Sequence, residues 1–175
     1  MTRDELARKI YEVSHLTGQF TLRSGATSTE YFDKYLFESN PPLIQAIAEA
    51  LAPLVPDLTD ALAGLELGGV PLATMLSQVT GLPALFVRKE AKTYGTCRLA
   101  EGGEVDGRRL TVVEDVVTSG GQVVASCTDL QNGGATVEHA LCVIDRQSGG
   151  PEALKDIGVE LRPLFTMQEL QTAAR

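Results

Sequence analysis

The chain has 175 residues, 43% of them hydrophobic, with a mean hydropathy of +0.02 and a formal net charge of −8. That size and apolar content suit one compact α/β domain with a real core and argue against disorder, and no apolar run approaches the roughly 20 residues that cross a bilayer. The acidic balance speaks against nucleic acid as a partner, because phosphate-backbone binding needs a broad basic face.

From the start of the chain, Thr2 to His15 repeats Leu6, Ile10 and Val13 at helical spacing, with Thr2 or Asp4 able to cap the helix. This amphipathic, charged opening lacks the apolar block of a signal peptide, so a cytoplasmic protein is expected. GQFTLRSGATSTEYFDKYLF mixes β formers with Gly and Ser and reads as a hairpin or short irregular sheet. NPPLIQAIAEALAPLV is a helix, with Asn40 as its cap, proline in the first turn and Ile44, Ile47, Leu51 and Leu54 on one face.

From about Asp60 strands and helices alternate. DALAGL is a strand, GGVPLATMLSQVTG turns into a helix ended by Gly81, and PALFVR is a strand followed by a polar loop from Lys89 to about Gly107. RLTVVEDVV is a strand, GGQVVASCTDLQNGG a helix stopped by glycines, and TVEHALCVIDR a strand. A short helix near Glu152 to Asp156, the strand VELRPLF and a last helix from Thr166 complete the chain. Apolar, nearly non-alternating strands in βα units predict a parallel sheet flanked by helices. A single domain over 1–175 is expected, with a small N-terminal cap over about 1–40 and an α/β body over about 41–175.

Cys97, Cys127 and Cys142 show no CxxC or Cys/His spacing and read as free thiols in a reducing compartment, not as a disulfide frame or zinc site. His15 and His139 read as ordinary helix-end and strand residues, and no metal-ligating set is expected. Against the acidic background one basic cluster stands out, VRKEAKTYGTCR with Arg88, Lys89, Lys92 and Arg98, which suggests a small anionic ligand.

RRLTVVEDVVTSGGQV, from Arg108 to Val123, places two carboxylates, Glu114 and Asp115, near the carboxyl end of a core strand, where open parallel sheets bind ligands. Thr118, Ser119, Gly120 and Gly121 then lead into a helix; glycine turns let N–H groups converge on an anion, and the helix start adds its dipole. This is a phosphate cradle with carboxylates placed to accept from sugar hydroxyls or to lie close to magnesium. No Walker lysine follows, and no dinucleotide GxGxxG is present. The bland alternative is a strand that surfaces early, with a solvated acidic pair and a glycine turn.

The string resembles the signature of type I phosphoribosyltransferases, in which apolar residues precede two acids and a Thr/Ser-Gly loop. VRKEAKTYGT resembles the mobile catalytic loop of orotate phosphoribosyltransferases, VIDRQSGG their Asp-Arg-Gln-x-Gly-Gly segment, FTLRSGATSTEYFD their N-terminal hood, and GLELGGVPLA their pyrophosphate-side loop. Four blocks in the right order cover most of the chain and imply the type I phosphoribosyltransferase-like fold with an N-terminal hood.

The resemblance implies that Glu114, Asp115, Val116, Val117, Thr118, Ser119, Gly120, Gly121 and Gln122, with Gly68 and Gly69, bind phosphoribosyl pyrophosphate (PRPP). Arg88, Lys89 and Lys92 would surround the departing pyrophosphate beside Tyr94. Thr118, Arg146, Arg23, Tyr31 and Phe32 would meet orotate, a guanidinium fork suiting a planar carboxylate. Magnesium bound mainly through PRPP and a homodimer whose basic loop reaches the neighbour's site are also implied.

Blander readings stand beside these: Arg88 and Lys92 as solvated loop charges, Tyr31 and Phe32 as hood core, Arg146 paired with Asp145. Two positions depart from the pattern. Tyr94 stands where relatives often carry histidine, and Gly68 where some carry lysine, so cationic help is reduced at both. The rival functions are a phosphoribosyltransferase for another base and a PRPP-binding regulator.

Overall fold

The structure of the chain, a computed structural model, describes all residues except 23, 96 and 97. Helix α1 (Arg3–Ser14) starts at Thr2, whose hydroxyl accepts from the Glu5 amide while the Glu5 carboxylate accepts from the Thr2 amide. It runs directly into β1 (His15–Thr21), which pairs antiparallel with β2 (Thr27–Phe32) as a separate two-stranded sheet. One helical turn, α2 (Tyr35–Glu38), follows, then α3 (Pro41–Leu51), where Asn40 Oδ1 accepts from the Leu43 amide at 3.2 Å.

The body continues as β3 (Ala61–Leu65), α4 (Gly69–Thr80), β4 (Ala84–Val87), β5 (Ala100–Glu101), β6 (Arg109–Val117) and α5 (Gly121–Asn132). It ends with β7 (Thr136–Asp145), α6 (Gly150–Lys155), β8 (Glu160–Thr166) and α7 (Met167–Ala173). The six strands of the main sheet run in the order β5-β4-β3-β6-β7-β8, all parallel except β5, which pairs antiparallel with β4 at the edge. Both β5 and α2 escape sequence periodicity, because two or four residues are too few to show one.

Strand alternation divides the interior into two cores. Leu62, Val113, Leu141 and Leu164 face one side with α1, α3, α4 and α7; Ala61, Ala63, Leu65, Val112, Ala140 and Cys142 face the other with α5 and α6. Leu6, Ala7 and Ile10 of α1 lie in the same apolar cluster as Ile44, Ile47 and Leu72, so α1 is part of the body's core, while the β1–β2 hairpin forms a separate sheet that meets this core through Phe32. Among the described residues no helix is long and apolar enough to cross a membrane.

Candidate active site

Strand β6 is buried along most of its length and surfaces at Thr118 and Ser119. Gly120 then takes φ +82° and α5 begins, with no side chain capping its first turn. The amides that open this helix therefore have no side-chain acceptor, which leaves them for an anion. Gly150 is as necessary as Gly120: a Cβ on it would lie 2.5 Å from Val117 Cγ1 and 3.0 Å from the Thr118 carbonyl oxygen. The start of α6 presses against the turn there, and the Arg146 amide donates to the Val117 carbonyl at 2.9 Å. Val117 itself is buried in the core on the α5 side, so only its backbone faces the turn, while Val116 is half-buried on the opposite side. Gln122 is exposed on the first turn of α5, with Nε2 at 3.4 Å from Ser126 Oγ.

The acidic pair is more enclosed than a solvated strand end. Asp115 has no exposed surface and Glu114 only 8%. Asp115 Oδ2 forms an ion pair with Lys34 Nζ at 2.6 Å, and Glu114 Oε1 accepts from the Asp115 amide at 2.9 Å. Burial works against charge on Asp115, but the contacts with Glu114, Lys34 and Glu38 outweigh it and hold this carboxylate below its usual range. Burial and the charge of Asp115 push Glu114 well above its usual value.

The two glycines of the β3–α4 loop adjoin this end of β6. A Cβ on Gly68 would fall 1.6 Å from Asp115 Oδ2 and 2.8 Å from Glu38 Oε1, and one on Gly69 would fall 2.2 Å from the Val113 carbonyl oxygen. Both positions thus need glycine because α4 starts against β6.

The basic segment after β4 folds back on the β5 edge. Arg88 Nε lies 3.3 Å from Glu101 Oε1, and Lys92 Nζ is ion-paired to the same oxygen. The two charges are therefore not simply solvated. Lys92 and then Arg88 hold Glu101 below its usual range despite partial desolvation. The Lys89 amide donates to Glu66 Oε1 at 2.5 Å, joining this segment to the β3–α4 loop. Tyr94 is 71% exposed, with the Lys92 ammonium 5.8 Å from its ring centre.

Of the residues expected to meet the base, Tyr31, Phe32 and Arg146 line a cavity of about 330 Å³ between the hairpin and the β7–α6 turn, together with Tyr11, His15 and Glu30 among others, and Thr118 is not in that lining. Tyr11 stacks on His15 with ring centres 4.8 Å apart and lies 6.2 Å from Phe32. Phe32 packs against the core, whereas Tyr31 is 44% exposed and stacks on Phe20. Arg146 has no ion pair among the described residues, and Asp145 Oδ1 accepts from the Gln147 amide at 2.8 Å. Arg23 and Cys97 lie outside the described residues. A larger cavity of about 680 Å³ sits by Glu138, His139 and Glu160, at the amino ends of β7 and β8, away from the end where parallel sheets bind ligands.

Comparison with known proteins bears directly on this arrangement. Residues 37–162 match the phosphoribosyl transferase domain family. An orotate phosphoribosyltransferase from Nocardioides sp. is 56% identical over 174 residues, covering 99% of this chain and 97% of the relative. The chain belongs to the orotate phosphoribosyltransferase family. A relative from Methanocella arvoryzae is 44% identical over 87% of each chain. Among solved structures, the Mycobacterium tuberculosis orotate phosphoribosyltransferase in complex with PRPP superposes with a TM-score of 0.82 at 30% identity, over 97% of this chain and 98% of that one. An adenine phosphoribosyltransferase from Trypanosoma brucei shares the fold, with a TM-score of 0.70 at 14% identity over 94% of this chain and 80% of that one.

Within this member of the orotate phosphoribosyltransferase family, sequence reasoning missed Lys34, Glu38 and Glu101. The first two left a faint local signal, a Lys and a Glu four residues apart in DKYLFE, as on one face of a helix. Glu101 left none, because its role depends on β5 folding back along β4.

Proposed function

We propose that the chain transfers the phosphoribosyl group of PRPP to orotate, giving orotidine 5′-monophosphate and pyrophosphate in pyrimidine synthesis. The observation that carries this reading is one hydrogen bond, from the Arg146 amide to the Val117 carbonyl. It fixes a guanidinium-lined, aromatic cavity beside an uncapped helix start suited to phosphate, so one molecule bridging both would be a nucleoside monophosphate.

The turn from Thr118 to Gly121 receives the 5-phosphate and fixes C1 of the ribose relative to the cavity, which raises the frequency of productive encounters. Arg146 grips the orotate carboxylate, and Phe32 forms one wall of the base site. The C1–oxygen bond breaks with its electron pair leaving on pyrophosphate, and the orotate ring nitrogen bonds to C1 as its proton passes to a pyrophosphate oxygen or to solvent. Arg88 and Lys92 exchange Glu101 for pyrophosphate oxygens as charge develops there, and Lys89 adds a third cation. Closure of the segment after β4 excludes water that would hydrolyse PRPP.

Magnesium, when bound, supplies Lewis-acid stabilisation of the leaving pyrophosphate. Among the described residues no three His, Cys, Asp or Glu side chains form a metal-holding group. Glu114 and Asp115 are the carboxylates that would lie beside an ion carried mainly by PRPP oxygens. A homodimer with the basic segment shared between subunits is supported by exposed apolar side chains around β4, namely Leu67, Val79 and Phe86. The buried, unpaired Cys127 and Cys142 fit a cytoplasmic setting.

The test is orotate depletion, followed by absorbance with PRPP and magnesium, beside parallel reactions with uracil, adenine and xanthine. Consumption of orotate alone is expected. Folded protein that consumes another base, or none, would overturn the assignment.

A further inference from the structure

Lys34 and Glu38 bracket the α2 turn, and both reach the carboxyl end of β6. Glu38 is 7% exposed, and its Oε1 is buried with no hydrogen-bond donor in reach among the described residues. That oxygen and Asp115 Oδ2 surround the seat of Gly68 and fill the volume a side chain at 68 would need. The ammonium that meets Asp115 therefore comes from residue 34, and the β3–α4 loop has no room to supply one. Two residues before Lys34 on the chain is Phe32, a wall of the base cavity, so the same short connector touches both ends of the site.

Taking the PRPP reading above as its basis, we propose that Lys34 and Glu38 are positioning residues of the PRPP site. They hold the Asp115 carboxylate in one orientation and tie it to the hairpin that forms the base cavity.

The charge states agree with that geometry. The groups facing Glu38 are Asp115, Lys34 and Glu114. Burial, then the adjoining Asp115 carboxylate, pushes the Glu38 carboxyl up to about 9, so it is protonated near neutral pH and able to donate to Asp115. Burial works against the Lys34 charge, but Asp115 outweighs it and raises that pKa. Near neutral pH the cluster is one Lys34–Asp115 ion pair beside the protonated Glu38 carboxyl, with Glu114 displaced in the same direction by burial and by the Asp115 charge. This is how four ionisable groups share a nearly dry space. Its stabilising contribution through Glu38 is complete below the ordinary carboxylate pKa and is lost as pH rises through about 9.

The test compares PRPP binding, by calorimetry on the intact protein without orotate, with steady-state KM values for both substrates. Lys34→Met is expected to weaken PRPP at least tenfold, to move the orotate KM less than threefold, and to be partly rescued by Lys34→Arg. Glu38→Gln, which can donate as protonated Glu38 does, is expected to bind PRPP at least fivefold tighter than Glu38→Met. Equal PRPP affinity for the Gln and Met variants, or equal effects of Lys34→Met on both substrates, would reduce the pair to packing and overturn the proposal. Should Lys34→Met not fold, the Glu38 pair decides. Failure of the wild-type protein to bind PRPP would instead strike the underlying functional reading.

Discussion

Replacing Gly68 by alanine would set a methyl carbon 1.6 Å from Asp115 Oδ2 and 2.8 Å from Glu38 Oε1. An ordinary carbon contact needs about 3.5 Å, so the carboxylate must retreat by nearly 2 Å. Asp115 has no free space for this: it is fully buried and held by Lys34 at 2.6 Å. Overpacking of this kind costs about 1–3 kcal/mol. In a domain of this size it corresponds to a fall in Tm of about 2–12 °C. A displacement of 1 Å or more at a positioned group lowers catalytic efficiency by up to about 100-fold. Differential scanning fluorimetry and a PRPP titration of initial rates read the two effects separately. Gly134→Ala is the control, because its Cβ would strike Asp106 Oδ1 at 2.1 Å, before the amino end of β7 and away from the acidic pair. It should lower Tm while leaving the PRPP KM of the folded fraction closer to wild type. A Gly68→Ala protein with unchanged Tm and unchanged PRPP KM would refute the placement of Asp115 against the β3–α4 loop.

Glu101→Gln releases Arg88 and Lys92 from their shared partner, so the PRPP KM should fall, by no more than about fivefold because partly exposed ion pairs are weak. A higher KM would mean that Glu101 places these cations for pyrophosphate. Lys92→Ala should lower turnover far more than it weakens orotate binding, and equal turnover would make Lys92 a surface charge. Arg146→Ala removes charge-assisted bonds worth about 1.5–3 kcal/mol, so the orotate KM should rise about 10- to 100-fold with little change for PRPP. Equal losses for both substrates would show that Arg146 supports the turn and not the base. Cys127 is buried with its thiol pushed up to about 12 by desolvation, and Cys142 is buried with its thiol well above the usual value, so neither should react with a thiol reagent at pH 8 until the protein is unfolded.

The parts of this protein that are legible in its sequence are those whose physics is local. The apolar run of β6 and the glycine turn after it announce a strand, a turn and a helix start within 16 residues, Arg108 to Val123. Thr2, Asn40 and Thr166 cap the helices that follow them through side chains within three residues. Arg146 and Phe32 were nameable from resemblance, but that they line one cavity depends on the hairpin folding over β7. The ion pairs lay beyond reach, since Lys34 meets Asp115, and Lys92 meets Glu101, only after the chain has folded. For the same reason the sequence presents Gly68 as a missing lysine, whereas in the fold Asp115 and Glu38 occupy the space.

The most direct test of the central claim, that one ligand bridges the β6–α5 turn and the Arg146 cavity, is a crystal structure with orotidine 5′-monophosphate bound. The 5-phosphate is expected within hydrogen-bond distance of the amides and hydroxyls of residues 118–122, with the base carboxylate on Arg146 and the ring against Phe32. A phosphate bound at another helix start, or a base outside the Tyr11–Phe32–Arg146 cavity, would contradict the account.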